Sequence, residues 1–460
     1  MGAAVSTKAL EQFDAALKDS ETTKRLVVRD CELLVLPPKD LERTIHLREL
    51  RLEHAKLKQL PASFGCLLLL ERLSLSNNHL ETLPLSFHKF QRLEELDLSC
   101  NKLRSLLGNF CNLGALRRLF MYDNALKKLP REFGALSSLE MLDVHNNRLW
   151  KLPKSFPCLA KLTRVDFSRN KLRKLPEAFG NLSALRICSL GRNVLSELPP
   201  FFGMLGSLEV LTLSYNALYK LPASFVDLIS LTNLSLTGNR IESFPGPQFS
   251  GLKTLVTLTY SENRLRQWQP GEKIFVLEDD IPDNEQVIEE DVDGEVDELS
   301  NVFSNPLSPL ENIQYLDLSD NALIVLPRQG WNRLTVLVHL KLSRNRLQKL
   351  PSEIGKLPKL QRLDIAANKL EFLPLTLFST KTLAFLDAHQ NSLQTLPDNV
   401  GECEALVRLV LTKNRELHGL PSSFCCLSRL EELRVDKACF LALDDAVTAF
   451  CRKLAFFSAE

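Results

Sequence analysis

Residues 70–84 read LERLSLSNNHLETLP. Kept to its recurring positions, the stretch is L-x-x-L-x-L-x-x-N-x-L-x-x-L-P. Its middle has the period of two that an extended strand requires, so Leu73 and Leu75 point to one side and Ser74 to the other. The asparagine at the ninth position, Asn78, falls where the chain leaves the strand. There a short amide can satisfy the backbone of a bend. The proline closes the stretch, and a second run with the same spacing opens at Leu93.

The string recurs along the chain. Its first position falls on Leu47, Leu70, Leu93, Leu116, Leu139, Leu162, Leu185, Leu208 and Leu231, always 23 residues apart. Leu255 follows after 24 residues and Ile313 after 58, and then come Leu337, Leu360, Leu383 and Leu406. That makes 15 clear units, with a worn one before them (Leu26, Val28) and another after them at Leu430. Phenylalanine keeps the same step at Phe64, Phe87, Phe110, Phe133, Phe156, Phe179, Phe202 and Phe225, and Phe249 follows the longer unit. One unit is too small to bury its own leucines, so the units must stack, with the strands in one parallel sheet and the rings in a spine on the opposite side.

Period and motif together resemble the leucine-rich-repeat superfamily over about residues 23–440. The L-P ending and the 23-residue length are similar to the intracellular class seen in Ras-pathway scaffolds of the Shoc-2/Sur-8 type. The resemblance implies an α/β solenoid, curved, with its parallel sheet on the concave side and a cap at each end. The expected organisation is a capping helix in 1–22, repeats over 23–268, an insertion over 269–309, repeats over 310–437 and a second capping helix over 438–460. Leu10, Phe13 and Leu17, and later Leu443, Val447, Phe450, Leu454 and Phe457, have helical spacing suited to those caps.

The net charge of +1 on 460 residues excludes a globally basic nucleic-acid binder, but it hides a cancellation. Residues 269–309 hold 13 acidic side chains and one lysine, so the rest of the chain carries +13. Within them Asp291-Val-Asp293-Gly294 lacks the spacing of a calcium loop, and no metal or other cofactor is expected. The 11 cysteines fall at no framework spacing, which reads as reduced thiols in a cytoplasmic protein. Nucleotide-cradling glycine loops, H-E-x-x-H and G-x-S-x-G are absent, so an enzyme is not expected. The row of aspartates at the fifth position, Asp97, Asp143, Asp166, Asp317, Asp364 and Asp387, reads as a solvated strand face. Arg164-Val-Asp-Phe167 matches the R-V-x-F string that docks on protein phosphatase 1, but Val165 and Phe167 sit at inward positions.

Function is then expected at the outward positions, the third, fifth, seventh and eighth of each unit. One zone offers Arg118, Phe120, Tyr122, Asp123, Met141, Asp143, His145 and Arg164. A bland zone of Ser and Thr follows, and a second zone offers His339, Lys341, Arg344, Arg362, Phe385 and His389. Exposed aromatics with arginine neighbours have the composition of an interface centre. The reading is a non-catalytic scaffold or adaptor in intracellular signalling at a membrane, its partner another protein such as a small GTPase or a phosphatase complex. The alternative is a regulatory subunit whose acidic insertion gates its own surface. Met1-Gly2-Ala3-Ala4-Val5-Ser6 fits the N-myristoylation pattern with Gly2 as acceptor, as in small myristoylated leucine-rich-repeat proteins, and implies reversible membrane association. Metabolic labelling with an alkynyl fatty acid is expected to tag the wild type and spare Gly2→Ala; equal labelling of both would refute the assignment.

Overall fold

The structure is a computed structural model that describes residues 7–30, 43–266, 268, 307, 309–327 and 330–459, with side chains described from residue 15. Gly2, Leu10 and Phe13 (as side chains) and nearly all of the acidic stretch therefore lie outside the described residues. The chain forms two compact units, Met1–Leu236 and Thr237–Glu460. In the first, parallel strands run in chain order from Arg25–Arg29 and Glu49–Glu53 to Asn233–Ser235. In the second they run from Thr257–Thr259 to Phe456–Ala459. Each unit is thus a leucine-rich-repeat solenoid of the expected α/β class.

Most strands are three residues long and pair like with like. Leu73 lies beside Leu96, and Leu96 beside Leu119. The inward fourth position therefore stacks on itself, and the first, sixth and eleventh follow it into the core. In the quoted stretch Leu70, Leu75 and Leu80 are fully buried and Leu73 nearly so. Ser74 points outward but is 9% exposed, because its neighbours on the sheet cover it and its hydroxyl lies 3.4 Å from that of Ser76.

The ninth-position asparagine does more than turn the chain. Asn193 Nδ2 donates to the carbonyls of Leu190 and Gly191 in its own bend and to Phe167 of the preceding repeat, at 2.9, 3.4 and 3.0 Å. Its Oδ1 accepts the N–H of Leu172, also in the preceding repeat, at 2.9 Å. Asn101, Asn147, Asn170, Asn345, Asn368 and Asn391 repeat the same scheme. Just before these asparagines the eighth residue is left-handed, as at Asn77, Cys100, Asp123, Arg169 and Tyr215, with φ between 52° and 56°. Its N–H is taken by the next repeat, for example Arg169 N–H by the Gly191 carbonyl at 2.9 Å.

Opposite the strands, short 3-10 turns carry the phenylalanines. Phe133, Phe156, Phe179, Phe202 and Phe225 stack ring on ring at 6.0–6.4 Å with interplanar angles of 10° or less. A glycine follows the ring at Phe133, Phe179 and Phe202, where the next repeat comes close to its backbone. A Cβ on Gly203 would overlap the Ser224 carbonyl of the next repeat.

The N-terminal cap is a helix over Thr7–Thr23, with Leu17 buried. It ends at left-handed Lys24, whose N–H donates to the Ser20 carbonyl, and runs directly into the first strand. The C-terminal segment differs from one continuous amphipathic helix. A helix spans Asp445–Cys451, capped by Asp444 accepting the Val447 N–H at 2.8 Å, and buries Val447 and Cys451. The chain then leaves it, and Phe456–Ala459 adds a strand beside Glu432–Val435. The open edge of the last repeat strand offers paired backbone bonds that a longer helix would leave unused, and Phe456-Phe457 favour the extended form.

Truncating one ring should open the spine locally. Phe156→Ala is expected to cost about 3–5 kcal/mol, and Asp166→Ala, which loses one bond to the Ser168 N–H, about 0.5–1.5 kcal/mol. Denaturant melts read both, and equal losses would mean that the spine is not what holds neighbouring repeats.

Candidate binding surface

The strand face is set by backbone pairing, so its side chains form rows running across strands. In the first unit one row is Glu95, Arg118, Met141, Arg164 and Ile187, and beside it run Asp97, Phe120, Asp143, Asp166 and Ser189. Met121 is fully buried, which leaves Phe120 and Tyr122 on the outer face, both half-buried. Tyr122 stacks on His145 at 4.7 Å and 11°. His145 is held in turn by Asp143, whose Oδ1 accepts from its backbone N–H at 3.1 Å and faces Nδ1 at 2.7 Å. Asp123 takes a bond from Asn146 and one from the Cys100 thiol. Arg118 is clamped by Glu95 at 2.6 Å, while Arg164 meets no carboxylate among the described residues. Val165 and Phe167 are fully buried, so the R-V-x-F string is core.

Asp143, His145 and Asp166 each offer a donor atom within 4.8 Å of the others, a group able to hold a metal ion. In one dimension those aspartates read as a solvated row, and no metal ligand stands out. The signal was the pairing of His at the seventh position with Asp at the fifth in two adjacent repeats.

The second unit aligns Tyr315, His339, Arg362, Phe385, Arg408 and Glu432, with Asp317, Lys341, Asp364, Asp387, Val410 and Arg434 alongside. Here the predicted residues His339, Lys341, Arg362 and Phe385 line one open pocket of about 260 Å³. The Arg362 guanidinium lies 4.4 Å from the Phe385 ring centre, and Lys341 Nζ 5.5 Å from that of Tyr315. Among the described residues neither cation forms an ion pair, whereas Arg344 is tied to Asp320 at 3.2 Å and Arg408 to Glu432 at 3.3 Å. His389 is pinned by Asp387 at 2.8 Å. Burial, and then the charges of Lys341 and Arg362, hold the His339 ring below its ordinary pKa, so it is neutral near pH 7. Tyr315 and Arg408 were missed in one dimension, since the first is ordinary at a third position and the second lies one repeat beyond the zone.

Between the zones the hydroxyls bond to one another, as Ser214 to Ser235 at 2.6 Å in the first unit and Thr237 to Ser261 at 3.1 Å in the second. These residues are occupied in bridging adjacent strands.

Models described as "Leucine-rich repeat region" match residues 86–191, "Leucine rich repeat" residues 189–241 and 311–370, and "Leucine Rich Repeat" residues 69–90. The chain belongs to the leucine-rich-repeat family. No curated protein matches it in sequence. Among solved structures, a leucine-rich-repeat protein of Leptospira interrogans is 29% identical, with a TM-score of 0.74 over 91% of this chain and 97% of that one. The ectodomain of the Arabidopsis thaliana receptor kinase GASSHO1/SCHENGEN3, solved in complex with Casparian strip integrity factor 2, is 26% identical, with a TM-score of 0.51 over 90% of this chain and 53% of that one. The effector YopM of Yersinia pestis, 24% identical with a TM-score of 0.57 over 93% and 92%, shares the fold. No described helix of this leucine-rich-repeat protein is long and apolar enough to cross a membrane.

The aspartate row also has a stability consequence. Burial raises the Asp364 pKa from its ordinary value, against the bonds it accepts from Ala366 N–H and the Ser343 hydroxyl; Asp387 adds to the rise. A raised folded-state pKa means that the folded form takes the proton more readily than the unfolded one. Stability carried by this group therefore grows as pH falls through that pKa. Asp364→Asn, which keeps an acceptor for Ala366, is expected to melt above wild type at pH 7, and the gap to close towards about pH 4. A gap that widens on acidification would reverse the assignment.

Proposed function

We propose that this leucine-rich-repeat protein is a non-catalytic scaffold that binds another protein across its strand face. The observation that carries the reading is the Arg362–Phe385 pair with Lys341 beside it. These are two cations without carboxylate partners, laid on aromatic rings and open to solvent. Arginine and aromatic side chains in this state supply most of the energy at protein interfaces. Tyr122 stacked on His145 gives the other unit a similar rigid aromatic platform. The Arabidopsis ectodomain, solved with a protein ligand, supports the same use of the fold.

The finer parts belong to the proposal as well. A small GTPase or a phosphatase complex as partner, a place in cytoplasmic signalling, and kinship with the Shoc-2/Sur-8 class rest on the repeat length and the L-P ending. Reversible membrane attachment through Gly2 rests on residues 2–6. The test is capture from cytosol followed by mass spectrometry, with Phe120→Ala/Tyr122→Ala, Phe385→Ala and a control off the strand face, Lys161→Glu. Partners are expected to be lost with the aromatic variants, by about tenfold or more, and kept with the control. Equal capture by all four proteins would place binding elsewhere.

A further inference from the structure

Each unit holds the same arrangement of side chains. In the first, the third-position row reads Arg118, Met141, Arg164; in the second it reads Arg362, Phe385, Arg408. In both, the central strand runs from an apolar residue through Asp to His, as Met-Leu-Asp-Val-His over 141–145 and Phe-Leu-Asp-Ala-His over 385–389. Of the 15 clear repeats only these two have histidine at the seventh position, and only these two place an apolar third residue between two arginines. The histidines are held alike. The Asp carboxylate accepts the His backbone N–H at 3.1 Å in each copy and faces Nδ1 at 2.7 and 2.8 Å. One arginine per copy is braced by a glutamate on the outer flanking strand, Arg118 by Glu95 and Arg408 by Glu432. The other, Arg164 or Arg362, has no carboxylate partner among the described residues.

We infer that strands 118–166 and 362–410 carry two copies of one recognition element. Each is built for an extended acidic segment of a partner protein that presents two carboxylates three residues apart. This rests on the scaffold reading above and gives it a ligand chemistry. The spacing follows from the sheet. The two arginines of a copy are two strand spacings apart, about 9.5 Å. A segment in the polyproline II conformation repeats every three residues at about 3.1 Å each, so acids at i and i+3 share a face about 9.3 Å apart. Met141 or Phe385 lies between the arginines, under the backbone that joins the two acids. An Asp carboxylate only accepts, so it takes the Nδ1 proton of the His, and the Nδ1–H tautomer presents Nε2 as an acceptor. Polyproline II chains have free backbone N–H groups to give it. Carboxylates are favoured by Arg164 and Arg362, which pair with none among the described residues, while Arg118 and Arg408 are shared with Glu95 and Glu432.

The probe is a fluorescein-labelled peptide containing Pro-Glu-Pro-Leu-Glu-Pro, titrated into the full chain by calorimetry and fluorescence anisotropy. Two peptides are expected per chain, with affinities within about threefold. His145→Ala/Arg164→Ala and His389→Ala/Arg362→Ala are each expected to reduce the stoichiometry from two to one, and their combination to zero, with unchanged melting curves. Replacing both glutamates by glutamine, or moving them to i and i+2, is expected to weaken binding by about tenfold or more. A stoichiometry of one in the wild type, indifference to charge or spacing, or equal binding by the combined variant would overturn the inference. Loss of the peptide result alone, with partner capture still dependent on Phe120, Tyr122 and Phe385, would sink this inference and leave the scaffold reading standing; loss of both would sink both.

Discussion

Everything in the fold depends on the way one buried amide serves two repeats at once. The bend after each short strand exposes carbonyls that no strand partner reaches, and burying them unpaired would cost about 1–3 kcal/mol each. Asn193 meets the carbonyls of its own bend and of the repeat before it, and its oxygen returns a bond to Leu172. An aspartate at that place could only accept, and a leucine could supply none of this set. The bend of one repeat is therefore completed by the next, and cohesion between neighbours is polar on this side and apolar elsewhere.

The opposite side solves a different problem. Parallel strands fix the pitch of the sheet at about 4.8 Å, while the phenylalanine rings stack at 6.0–6.4 Å. The wider ring spacing is accommodated by turns only three to five residues long, whose closest backbone approaches fall at glycines such as Gly203. Layers with different natural spacing, locked by the same leucines, leave each repeat little freedom to tilt. Outward side chains are held in rows accordingly.

Much of this was legible in one dimension because a period of 23 residues states which side chains must coincide. The core leucines, the ring spine and the outward placement of Phe120, Tyr122 and Phe385 all follow from it. What could not be read was pairing among outward side chains. The clamp of Glu95 on Arg118, the stacking of Tyr122 on His145 and the convergence of Asp143, His145 and Asp166 depend on rotamers that no spacing specifies. The C-terminal segment misled for another reason. Leu454 and Phe457 continue a helical period, yet the open sheet edge competes for the same backbone and takes residues Phe456–Ala459.

The left-handed residue ahead of the asparagine has a consequence for how such a protein diversifies. Its conformation is one that most side chains avoid, at a cost of about 1–2 kcal/mol. Yet the position accepts Cys100, Asp123, Arg169, Tyr215, Ala367 and Lys413 with nearly the same φ. The bond from its N–H to the following repeat, as from Arg169 to Gly191, helps to hold the geometry whatever side chain is present. Selection can then rewrite that letter freely, repeat after repeat, without renegotiating the architecture. A surface can change its chemical identity one residue at a time while the scaffold beneath it stays the same.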